Sequence, residues 1–250
     1  MAHVAAAVLA TLLVVLLVAV QPLRGRRRYQ RLLAELPTNP AARRQFYVRG
    51  IVGSWIAVGV VAVIGALAGR GPVSIRLTVS HLKPGAPLLT IAFAGTFAVL
   101  LGGSLVAMYR GSEGLVERFR HQLGGFAEIL PRSGLERRTF AAVAITAGIC
   151  EEILYRGFGV AYLKWLDPGA GSALLVVVIG LAFGLAHLYQ GARGVVLTGV
   201  LGCFFTWITL LTGTLLPAIL IHVLVDLRVV VLPATLTDPE PHEDDRLPAR

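Results

Sequence analysis

Long apolar runs separated by short charged stretches set the rhythm of this chain. Three runs, 4–20, 51–69 and 87–107, carry no ionisable side chain. From 140 to 232 the sequence is again nearly all hydrocarbon. Yet Glu151, Glu152, Arg156, His187, His222 and Asp226 lie inside it. A helix of about 20 apolar residues crosses a hydrocarbon core about 30 Å thick. Apolar length therefore predicts seven spans, at 4–22, 47–69, 87–108, 139–163, 171–190, 194–212 and 214–232. The break at Thr212, Gly213 and Thr214 divides the last long run into two short spans. Segment 109–138 mixes Arg and Glu with Leu115, Val116, Phe119, Leu123 and Phe126. It reads as an amphipathic helix on the cytoplasmic face, ended by Pro131 and Gly134. The predicted fold is all-α: a polytopic membrane helical bundle of about seven transmembrane helices plus that interfacial helix.

Composition agrees. The chain has 250 residues, 56% of them hydrophobic and 15% charged, with a mean hydropathy of +0.74. Soluble domains carry about 25% charged residues. The length fits one membrane domain over 1–250. The net charge of +9 raises nucleic acid as a partner, but the positions of the charges exclude it. Eight arginines from Arg24 to Arg49 lie between the first two runs, and six from Arg110 to Arg138 lie between the third and fourth. Basic loops mark the cytoplasmic side, where they also meet anionic lipid. The first run has no basic stretch before it and an Arg cluster after it, the reverse of a cleaved signal. It is read as a retained span with the N-terminus outside. The acidic stretch 233–250 is then a disordered cytoplasmic tail. Arg outnumbers Lys by 21 to 2 amid many Ala, Gly and Val, which suggests a GC-rich bacterial genome and a bacterial plasma membrane. Cys150 and Cys203 lack a CxxC partner and read as buried free thiols.

Charge at membrane depth is the candidate chemistry. An Asp, Lys or Arg at a helix centre costs roughly 2.5–3.5 kcal/mol on insertion scales, so such groups face one another or water. Glu151 lies ~18 Å along its helix from Thr139, well inside the core. Glu152 and Arg156 are spaced i,i+4 and can pair. Glu151 points about 100° away, with only a hydrogen bond from Tyr155 available on its own helix. It is suited to taking a proton from water. Phe183 and His187 share a face, as do His222 and Asp226. A bland alternative has Asp226 simply orienting His222. Two chemistries fit. In one, Glu151 is the general base for a water held by His187, and His222 and Asp226 bind the oxyanion. In the other, a divalent metal such as Zn sits among Glu151, His187, His222 and Asp226 and lowers the pKa of its water. The helical zinc-protease motif HExxH is absent.

E-E-x-x-x-R (Glu151, Glu152, Arg156), F-x-x-x-H (Phe183, His187) and H-x-x-x-D (His222, Asp226) occur in that order on three spans. The set resembles the CPBP family of intramembrane endopeptidases, the CAAX-protease and bacteriocin-processing group, over a core at 130–232. The resemblance implies peptide-bond hydrolysis in or beside the bilayer. Glu151 and His187 would activate water, Glu152 and Arg156 would hold the helix geometry, and His222 and Asp226 would stabilise the oxyanion. The family often has Asn where this chain has Asp226. Asn donates a hydrogen bond and an ionised Asp does not, so Asp226 is protonated, orients His222 or ligates a metal. The resemblance is compatible with both chemistries. The span boundaries put His187 about 24 Å and His222 about 12 Å from the outer face, a mismatch in depth. The site is expected in the inner half of the membrane or open to the cytoplasm.

The function expected is cleavage of a membrane-associated protein or peptide. A tethered protein or a leader-bearing peptide suits a bacterial chain better than a prenylated one. The competing readings are a non-catalytic scaffold or immunity-type protein and a proton-coupled transporter. A transporter calls for inverted repeats or broken helices, and the sequence shows neither.

Overall fold

The computed structural model describes residues 2–68, 83–110 and 124–232. Among them the chain is helical, with no strand. The expected amphipathic helix lies mostly outside the described residues; 124–129 within its range form a 3-10 turn, Gly124–Ile129. The 233–250 tail also lies outside them.

Seven long helices follow one another among the described residues. Helix α1 is Ala2–Glu35, with a π turn at Leu16–Val20. Helix α2 is Ala42–Ala68 and α3 is Ala86–Tyr109. Helix α4 runs over 134–166, with a π stretch at Glu152–Gly159 in its middle. Helix α5 is Ser172–Ala186, α6 is Gly191–Thr212 and α7 is Leu216–Leu227. Among the described residues, four stretches are long and apolar enough to cross a membrane: Ala2–Glu35, Ala42–Ala68, Ala86–Ala107 and Leu188–Thr212. The other three expected spans come out differently. The span expected at 139–163 lies within α4, whose ionised residues lower its apolarity. Helix α5 has 15 residues and α7 has 12, so they reach about 22 and 18 Å, short of a 30 Å core.

Local chemistry sets these bounds. Helix α6 stops where Gly213 turns left-handed at φ 80°, a conformation open to glycine. Pro217 then sits in the first turn of α7, where its missing N–H costs nothing. Helix α1 outruns the expected 4–22 by more than three turns. Its extension buries Pro22, Tyr29 and Leu32 on one side and exposes Arg24, Arg27, Arg28 and Arg31 on the other. Ser133 and Glu136 form a capping box at the start of α4. Arg43 of α2 reaches the same corner, donating to the Glu128 carbonyl (2.9 Å) and to Glu136 Oε1 (3.2 Å). Tyr47 donates to the Ile129 carbonyl. Burial pushes the Glu136 carboxyl up, but the backbone N–H groups of Arg132 and Ser133 and the Arg43 guanidinium outweigh it. They hold the carboxyl below the usual carboxylate range.

Small residues let the helices approach. Ala6 and Ala10 of α1 pack with Val61 and Ile64 of α2, Phe158 of α4 and Ile179 of α5. A Cβ at Gly184 of α5 would stand 2.6 Å from the Val195 carbonyl oxygen of α6. A Cβ at Gly148 of α4 would run into Val223 Cγ2 and lie 3.0 Å from the Val223 nitrogen. Bare backbone at Gly148 therefore brings α7 close enough for its side chains to reach α4. Leu88, Ile91 and Val99 of α3 point outward, each more than two-thirds exposed, as a face turned to hydrocarbon would be.

Candidate active site

The chemistry-bearing residues of α4 fall where its winding loosens. The π stretch opens at Glu152 and includes Arg156. Such bulges recur at functional sites in α-helices. Glu152 and Arg156 have fully buried side chains and pair at 2.9 Å, as their spacing predicts. Arg156 is stitched to α6 as well: Nη2 donates to the Gly202 carbonyl (3.0 Å) and Nε to Thr206 Oγ1 (3.3 Å). Its guanidinium lies 4.3 Å from the centre of the Phe183 ring on α5, a cation–π distance. One arginine thus joins three helices.

His222 approaches from α7. Its Nδ1 is 2.8 Å from Glu152 Oε1. An ionised carboxylate only accepts, so Nδ1 carries the hydrogen and the imidazole is fixed by Glu152. The bland alternative, Asp226 as the orienting partner of His222, gives way to Glu152. The ring stacks on Phe205 at 5.2 Å and 21°. Its other nitrogen, Nε2, stands 3.6 Å from Asp226 Oδ2 and 3.9 Å from Glu151 Oε2, both too far for a direct hydrogen bond. Glu151 Oε2 is buried and has no hydrogen-bond partner. Tyr155, the expected donor to Glu151, instead sets its ring edge-on to Phe183 at 5.2 Å and 88°. The Glu151 and Asp226 side chains are 25% and 34% exposed, against zero for Glu152 and Arg156. The cluster has one dry side, which fixes geometry, and one open side.

His187 is not in a helix. It caps the end of α5 at φ −95° and ψ 20°, before the 3-10 turn Leu188–Gln190. Its Nδ1 donates to the Phe183 carbonyl at 2.9 Å, which leaves Nε2 available. Phe183 lies between the two imidazoles, 4.8 Å from His187 and 5.9 Å from His222 by ring centres. The two histidines therefore flank one phenyl ring. Asp226 is within electrostatic reach of His222, Glu151, His187 and Arg228. The structure thus gathers Glu151, Glu152, Arg156, His222 and Asp226 directly, with His187 joined through Phe183. Thr206 and Phe205 were not legible as site residues, being uncharged members of an apolar run. Tyr189, two residues after His187, carries no such mark either.

The metal reading needs a convergent ligand set. Among the described residues no group of three or more His, Cys, Asp and Glu side chains is placed to hold a metal ion. Each histidine is held at Nδ1, His222 by Glu152 and His187 by the Phe183 carbonyl, which leaves Nε2 of both facing away from those partners.

A short-helix bundle with a carboxylate–imidazole cluster on its α4, α5 and α7 is the class of site defined here. Residues 135–228 match the family model of the Rce1-like type II CAAX prenyl endopeptidases. The match over this stretch supports the CPBP family of CAAX-protease-like peptidases, and the apolar helices among the described residues suggest an integral membrane protein. The matched stretch holds all six site residues and lies within the core expected at 130–232. No curated protein and no solved structure matches the chain.

Proposed function

We propose that this protein is an intramembrane endopeptidase that hydrolyses a peptide bond of a membrane-associated protein or peptide, with Glu151 as the general base. The observation that carries the reading is Glu151 Oε2, buried without a partner 3.9 Å from His222 Nε2. That separation suits one water bridging both atoms. Glu151 takes a proton from this water, and the oxygen attacks the carbonyl carbon of the substrate. His222, held by Glu152 and protonated on both nitrogens, donates from Nε2 to the oxyanion that forms. Glu151 then returns the proton to the leaving amine as the C–N bond breaks, giving a carboxylate and an amine. His187 presents Nε2 to hold the water. Asp226, an acceptor beside His222 Nε2, balances the imidazolium charge rather than donating to the oxyanion. Glu152 and Arg156 keep this frame rigid.

The test is Glu151→Gln in purified protein reconstituted in liposomes and assayed on a quenched peptide library. Loss of a positioned general base lowers turnover by about 10²–10⁴-fold, with helicity and expression unchanged. Retained cleavage in this variant would return the cluster to a packing role, as in a scaffold protein.

A further inference from the structure

His187 is the one proposed water-holding group placed on a turn rather than inside a helix, so something else must fix its ring. Its Nδ1 hydrogen bond to the Phe183 carbonyl is one restraint on that ring. The Phe183 ring covers it from one neighbour at 4.8 Å and the Tyr189 ring from another at 5.9 Å and 34°. Tyr189 is itself held. Gln190 Nε2 donates to its hydroxyl at 3.2 Å, and the buried Tyr29 of α1 packs against its ring at 6.2 Å. Gly25, one turn before Tyr29, lies close by: a Cβ there would be 3.7 Å from Tyr189 Cδ1 and 3.9 Å from the Ala186 carbonyl. The extended part of α1 therefore lies directly over the turn that carries His187. Tyr189 also lies within electrostatic reach of Glu151 and Asp226. Read in order, the rings Tyr29, Tyr189, His187, Phe183 and His222 form a continuous file from α1 to α7.

We propose that Tyr189 is a positioning residue for His187, backed by Tyr29, so that the first helix completes a site whose other parts lie in the matched domain. The catalytic consequence rests on the peptidase reading above. Ring packing is the function assigned to Tyr189, so the ring and not its hydroxyl is required. Helix α1 outruns its span because this extension is a wall of the site.

Two measurements on the full chain in lipid nanodiscs test this. The first uses isotope-labelled histidine, with the His187 ring signal assigned by its loss in His187→Gln. In Tyr189→Leu that signal should shift and broaden as ring packing is lost, and Tyr189→Phe should restore it. This needs no substrate. The second is peptide cleavage, where Tyr189→Leu should lower kcat by about ten- to a hundredfold, the scale of a small misplacement of a reacting group. KM should stay near the wild-type value, and Tyr189→Phe should recover most of kcat. Tyr29→Leu should act in the same direction more weakly, and it decides the matter if Tyr189→Leu does not fold. An unchanged His187 signal in the Leu variants overturns the proposal, as does wild-type kcat in both. A wild-type protein that cleaves nothing counts against the peptidase reading alone, because the histidine signal still reports on Tyr189.

Discussion

Arg156 and Glu152 show how a charge can be tolerated where water is absent. Each polar contact of the guanidinium is met by a carboxylate, a carbonyl or a hydroxyl, and its faces meet aromatic rings. Removing one partner strands the other. Arg156→Leu should therefore cost about 3–5 kcal/mol, the range for breaking a buried pair from one side. Denaturant unfolding in detergent would reveal it, whereas a loss under about 1 kcal/mol would mean that the pair is solvated. Glu151→Gln should leave stability nearly unchanged, since Oε2 gives up no hydrogen bond within the protein. The two variants separate frame from chemistry. At this scale the sequence was informative where it carried charge. Spacing alone paired Glu152 with Arg156, and polar residues in hydrocarbon pointed to Glu151, His222 and Asp226. It was silent on which carboxylate steers His222, because the choice of Glu152 over Asp226 depends on how α7 docks on α4. Thr206 and Phe205 carry no mark that distinguishes them from packing residues.

Helices here meet through absent side chains. Gly148 is the clearest case, since Val223 occupies the space a Cβ would need. Gly148→Ala should destabilise by about 1–3 kcal/mol, as overpacking does, and should also weaken the His222–Glu152 contact that depends on that approach. Adding Val223→Ala should recover part of the loss. If Gly148→Ala melts at the wild-type temperature, α7 is not seated as described. The corner where α2 meets the start of α4 makes a separate prediction. Glu136 is held below its ordinary value of 4.5, so its stabilisation is fully present above pH 4.5 and fades as pH falls through the lowered folded value. Arg43→Gln should remove part of that acid sensitivity, which a melting series from pH 7 to pH 3 would resolve. Helix identity was readable from apolar length, but helix ends were not. Helix α1 continues past its apolar run because Tyr29 and Leu32 find a buried surface that no local pattern announces. Helix α5 stops early because the chain must turn at His187 to place it.

At the scale of the whole molecule, the described residues combine four helices long enough to cross a membrane with two short ones, α5 and α7. Helices α5 and α7 reach only part of the way across a bilayer, and both end near the charged cluster. Ionised groups on short helices have protein and each other as neighbours instead of lipid, which is the condition for keeping them in a membrane. Among the described residues no three ligands converge, so under the peptidase reading cleavage should persist after dialysis against a strong chelator. Activity abolished by the chelator and restored by zinc would show instead that the site rearranges around an ion. The all-helical membrane character of the chain was legible from hydropathy. The number of full crossings was not, because apolar length counts residues and the fold decides where the backbone bends.

Arg156 also constrains how a polypeptide reaches the buried carboxylates. Its guanidinium sews α4 to α6, and Lys83 fastens the start of α3 to the end of α6 through the carbonyls of Leu210 and Thr212. Those seams stay shut while the stitches hold. Under the peptidase reading, an incoming chain enters on the other flank, where Glu151 and Asp226 are partly exposed.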